Sequence, residues 1–85
     1  MNNYNSPINQ CSLQSLEKWL KKIGAYKDIH NPSTWYLQLS NCRVIISFEQ
    51  EDLRVEWDYN GILKKRLFSY SINLEDVENA ILQGP

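Results

Sequence analysis

The single imidazole of the chain, His30, stands two residues after Asp28. A carboxylate beside a histidine fixes its tautomer and raises its basicity, which is half of a general-base arrangement. The other half is a nucleophile or a water-activating metal. Cys42 is the thiol whose place in the pattern brings it nearest to that role, and no triad signature accompanies the pair. A surface or loop-ordering histidine explains His30 with fewer requirements. Glu49, Glu51 and Asp52 form a carboxylate cluster in one short stretch. Such groups can do acid–base work or hold a hard cation, but the spacing is not that of a calcium loop and no glycine turns it. A solvated hairpin turn is the expectation. Lys64-Lys65-Arg66 is a basic run, and Lys18, Lys21 and Lys22 are a second group. With exposed rings, such cations can track single-stranded nucleic acid. Strand residues alternate in direction, however, so Lys65 diverges from Lys64 and Arg66. Nine basic against ten acidic side chains, a formal charge of −1, supply no broad positive field. No catalytic constellation, metal-ligand spacing or phosphate loop emerges, and no cofactor is expected.

The elements that carry these residues follow from periodicity. Leu13, Leu16, Leu20 and Ile23, widened by Trp19, recur at helical spacing. Ser12 is placed to cap the first turn, lysines crowd the last, and Gly24 suits a left-handed stop, so a helix is expected over 12–23. Residues 24–34 read as a connection with a turn at Asn31-Pro32. The period then changes to two. Trp35, Leu37 and Leu39; Val44, Ile46 and Phe48; and Leu53, Val55, Trp57 and Tyr59 alternate with mostly polar residues, as half-buried strands do. Asn60-Gly61 marks a hairpin into a fourth strand. Asn73 then caps a closing helix over 74–82, with Ile72 and Val77 spaced as a hydrophobic staple. The expected fold is α+β in two layers: helix, four-stranded antiparallel meander, helix, with both helices on one face. Residues 1–11 are expected as a flexible arm and 12–83 as one domain.

The register of the last hairpin decides what each face carries. A two-residue loop sets Trp57 opposite Lys64 and Val55 opposite Arg66, which places two cations on the apolar face. A three-residue loop sets Trp57 opposite Leu63, Leu53 opposite Leu67 and Glu56 opposite Lys64. Hydrophobic matching favours the second. The open face then carries Tyr36, Gln38, Arg43, Ile45, Ser47, Arg54, Glu56, Lys64, Arg66 and Phe68, with Tyr70 beside them. Aromatics and arginine on a sheet face suggest an interaction surface. The competing expectation is that the arm, through Tyr4 and Ile8, folds over that face.

Length and composition agree with a folded single domain: 85 residues, 42% apolar and 12% aromatic. The N-terminus lacks the basic and apolar regions of a secretory signal, and no run approaches the ~18 apolar residues of a membrane span. Two cysteines without a dense bridge pattern point to free thiols in a reducing, cytoplasmic compartment.

The stretches SLEKWLKKIGAYKD, NPSTWYLQLSNCRVIISFEQEDLRVEWDYNG and RLFSYSINLEDVENAI together resemble a cyanobacterial and plastid small-protein family, domain of unknown function 3143, over about residues 12–82. The resemblance implies a photosynthetic host and a cytoplasmic or stromal setting, and no activity. The functional expectation is a non-enzymatic protein-interaction or accessory domain, monomeric or weakly dimeric, using Tyr36, Arg54, Arg66 and Phe68. The alternative is a single-stranded nucleic-acid module using Lys64, Arg66 and the same rings.

Overall fold

The computed structural model describes residues 6–85. Helix α1 spans Leu13–Lys22, followed by β1 (Tyr26–Lys27), β2 (Thr34–Gln38), β3 (Arg43–Phe48), β4 (Asp52–Tyr59), β5 (Ile62–Ser69) and α2 (Leu74–Gln83). The strands form one antiparallel sheet in the order β1-β2-β3-β4-β5. The α+β class and the meander are as expected. The sheet has five strands instead of four, because Tyr26 and Lys27, read as connection, pair with Tyr36 and Trp35. A two-residue strand is too short to show a period, so alternation had no means of revealing it.

Local chemistry explains the helix ends. The Ser12 hydroxyl accepts the Ser15 N–H at 3.0 Å. At the other end Gly24 takes φ +99°, its N–H donates to the Lys21 carbonyl, and the Ala25 N–H reaches back to Leu20. That is a Schellman stop, with buried Ala25 as its apolar contact. Asn73 does occupy the N-cap of α2, but its side chain makes no capping bond. The Leu74 N–H donates to the carbonyl of Ser6. The N-terminal segment is therefore part of the cap. Ile8 and Asn9 donate backbone bonds to Ile72 and Tyr70, and Ile8 is buried in the core. From Ser6 onward the arm expected to be loose is tied down, on the core side and not over the open face. Tyr4, expected to join it, lies outside the described residues.

Both helices cover one face of the sheet. Trp35, Leu37, Val44, Ile46, Leu53, Val55 and Trp57 point into that layer and meet Trp19, Leu20, Leu74, Val77 and Ile81 in one buried cluster. The two indoles fix the layers through their polar handles. Trp57 Nε1 donates to the Ile81 carbonyl at 3.0 Å, joining sheet to α2. Trp19 Nε1 donates to Glu78 Oε1 at 2.9 Å, joining α1 to α2.

The last hairpin corrects the favoured register. Tyr59 stands opposite Ile62, Trp57 opposite Lys64, Val55 opposite Arg66 and Leu53 opposite Phe68. The loop has two residues, with φ +54° at Asn60 and +95° at Gly61, as a type I′ turn requires. Asp58 Oδ1 accepts the Gly61 N–H at 2.6 Å and braces it. Hydrophobic matching misled because it assumed that the helix side of β5 is buried. Only Phe68, at the end of the strand, is buried there. Lys64 and Arg66 remain in solvent, with the Arg66 guanidinium 4.8 Å above the Phe68 ring. The cations cost little there, and the turn sets the register.

Two substitutions test this scaffold. Gly61→Val forces a β-branched residue into a left-handed conformation that costs L-residues about 1–2 kcal/mol, and thermal melting should register a fall of several degrees. Trp57→Phe leaves the Ile81 carbonyl without its donor, a loss of about 1–3 kcal/mol in chemical denaturation.

Candidate interaction surface

The face away from the helices is organised in cross-strand rows. The central row runs Tyr26, Tyr36, Ile45, Glu56, Lys65 across all five strands. One flanking row is Gln38, Arg43, Asp58, Leu63, and the other is Thr34, Ser47, Arg54, Leu67. Of the residues in these rows Ser47 alone is buried. Tyr26 is 54% exposed, Leu63 54% and Leu67 55%, while Tyr36 and Ile45 are half-buried.

Tyr36 anchors one side. Its hydroxyl donates to Asp28 Oδ2 at 2.6 Å, its ring lies 5.6 Å from that of Tyr26, and the Arg43 guanidinium stands 4.1 Å from its centroid. Asp28 Oδ1 meanwhile accepts the backbone N–H groups of His30 and Asn31 at 2.8 and 2.9 Å. Three donors on one carboxylate favour its charged form. The Tyr36 hydroxyl first, and then the two N–H groups, lower the Asp28 pKa to about 2. The same bond raises Tyr36 above the usual phenol value. The His30–Asp28 relation is thus backbone to carboxylate, a loop brace rather than a general-base pair.

Arg54 anchors the other side. Its guanidinium lies 3.6 Å from Glu49 and 3.7 Å from Glu56, both ion-pair distances. Its buried Nε has no hydrogen-bond acceptor among the described residues. The turn carboxylates Glu49, Glu51 and Asp52 join Arg54, Lys65 and Leu67 around an open hollow of about 400 Å³. Tyr70 holds that turn from beneath, its hydroxyl donating to the carbonyls of Glu49 and Asp52. No group of three or more His, Cys, Asp or Glu is placed to hold a metal among the described residues.

The four expected binding residues do not come together. Tyr36 and Arg54 lie on the open face. Arg66 and Phe68 lie on the helix side, and Phe68 is 5% exposed. Tyr70 packs against the core cluster instead of standing beside Tyr36. Lys65, Leu67 and Ser69 occupy the places expected for Lys64, Arg66 and Phe68, the one-residue exchange that a register slip produces. Lys64 and Arg66 share a face, but the ring beside them is buried, so the stacking platform of a nucleic-acid module is not at their side. His30 precedes β2 and Cys42 follows it, at opposite ends of the strand. That separation removes the proposed catalytic pair. Tyr26 carries no signal of its own in the sequence, because its pairing to Tyr36 depends on β1.

A second concavity, about 140 Å³, lies between α1 and the loop before β2, lined by Leu13, Leu16, Leu20, Pro32, Trp35 and Phe48 among others. Leu13, expected in the buried stripe, is 72% exposed at its rim. The volume is below the roughly 300–1,000 Å³ of drug-sized ligand sites.

Asp28 offers a direct test. Its folded pKa lies below the unfolded value, so its contribution to stability is present above the ordinary carboxylate range and is lost as pH falls toward about 2. A carboxyl-carbon NMR titration should give a midpoint near 2, and Tyr36→Phe should raise it.

No helix of the described residues is long and apolar enough to cross a membrane. No curated protein and no solved structure matches the chain significantly. A family model, "Protein of unknown function (DUF3143)", matches residues 23–84, from the end of α1 through the sheet and α2. With more than half of its length so matched, the chain belongs to that family.

Proposed function

We propose that this domain is a non-enzymatic protein-interaction module whose partner docks on the open sheet face. The observation that carries the reading is the row Tyr26, Tyr36, Ile45 between two arginines, Arg43 and Arg54. Rings and apolar side chains at the centre with charges around them are the composition of an interface core and rim. Burial of Tyr26, Ile45 and Leu67 supplies the affinity. Arg43, Arg54, Glu56 and Lys65, of both signs, set orientation. Arg54 is suited to this because its ion pairs are partly exposed and contribute little to stability on their own. The setting we take for it is the cytoplasm of a photosynthetic host. The family resemblance supports that setting, as do the free thiols of Cys11 and Cys42.

The test is affinity purification from the native host with the wild-type chain and with Tyr26→Ala/Arg54→Glu. Phe68→Ala is unsuitable, since it empties a core site. The partner captured by the wild type should fall at least tenfold with the face variant and persist with Lys18→Glu, on the exposed side of α1. Equal capture by all three chains would refute the face as the docking surface.

A further inference from the structure

The two edges of the sheet differ in kind. β1 is two residues long and runs straight into the Asp28 loop. β5 runs eight residues without proline, glycine or bulge, pairing residue for residue with β4. Natural sheets protect an edge by shortening, kinking, covering or charging it. Among the described residues β5 has only charge. Every residue from Ile62 to Leu67 is exposed, and the strand order leaves its outer side without a neighbour. Alternate backbone N–H and C=O groups there have no ladder partner.

The charges also select what can pair. Two copies of β5 aligned antiparallel about Lys65 would set Lys65 against Lys65 and Lys64 against Arg66. Like charges directly opposite are unfavourable, so that register disfavours pairing with its own copy. Within the domain the basic run has only the Phe68 ring under Arg66 as a partner. No ion pair engages Lys64, Lys65 or Arg66 among the described residues.

We propose that β5 is a docking edge for an extended segment of a partner protein in which acidic and apolar residues alternate. The segment adds as a sixth strand. Its acidic side chains lie on the face of Lys64 and Arg66, and its apolar side chains on the face of Leu63 and Leu67. Main-chain bonds provide affinity, and the alternation fixes the register. A nucleic-acid strand fits less well, because Lys65 points away from Lys64 and Arg66 and the Phe68 ring lies buried under Arg66. The inference rests on the domain being an interaction module, but it uses the edge rather than the rings, so either can fail alone.

The probe is a fluorescent, end-capped octapeptide alternating Glu and Val, titrated with the full chain by anisotropy at low salt. Three comparisons accompany it: the same peptide N-methylated at alternate residues on its bonding side, a thymidine octanucleotide, and the Lys64→Glu/Arg66→Glu chain. Strand addition predicts saturable binding, at least tenfold weaker for the N-methylated peptide and for the double variant, with amide shifts centred on β5. Tyr26→Ala/Arg54→Glu should bind the octapeptide as the wild type does. Lys64 and Arg66 are both exposed, so the Lys64→Glu/Arg66→Glu chain should melt within a few degrees of the wild type. If it unfolds, the N-methylated arm still decides on the native chain. Equal binding of the N-methylated peptide, tighter binding of the octanucleotide, or no saturable binding of the octapeptide would overturn the proposal.

Discussion

Two consecutive positive φ angles, at Asn60 and Gly61, decide which side of the sheet every residue of β5 occupies. The constraint is steric and local. A two-residue hairpin loop needs a left-handed backbone at both positions to follow the right-handed twist of its strands, and Asn-Gly adopts it at low cost. Lys64 and Arg66 consequently fall on the helix side and Leu63, Lys65 and Leu67 on the open side. The character of the face and of the edge both descend from that one turn.

The rest of the scaffold makes this outcome affordable. Leu53, Val55 and Trp57 on the inner side of β4 are wholly buried, and Trp57 ties the strand to α2 through the Ile81 carbonyl. The N-terminal segment completes the start of α2 by satisfying Leu74 and burying Ile8. With the core anchored through β2, β3 and β4, β5 contributes only Phe68 to it. The remainder of β5 is free to carry charge and exposed leucines. A small domain thus keeps a buried core on one side of the sheet while presenting a mixed aromatic surface on the other and an unpaired outer edge at β5.

Much of the fold was legible in the residues. The helical stripe of α1, its Ser12 cap and Gly24 stop, the alternation of β2, β3 and β4, and the α2 start all stand where periodicity and capping chemistry place them. What escaped were features that depend on tertiary partners. β1 is visible only through its pairing with β2. The Ser6 carbonyl accepts the Leu74 N–H and the Asn73 side chain makes no capping bond, which no local rule anticipates. Hydrophobic matching sets β5 one residue out of register, because edge strands need not match the hydrophobic pattern of their neighbour. That slip moved Phe68 and Arg66 onto the wrong face of the candidate site while leaving Tyr36 and Arg54 correctly placed.

The register itself is open to direct measurement. Interstrand backbone NOEs in a uniformly labelled sample identify which residues of β4 and β5 stand opposite each other. Contacts joining Glu56 to Lys65, and Arg54 to Leu67, are the predicted result. Contacts joining Glu56 to Lys64, and Leu53 to Leu67, would return Lys64 and Arg66 to the open face and contradict the assignment of both surfaces.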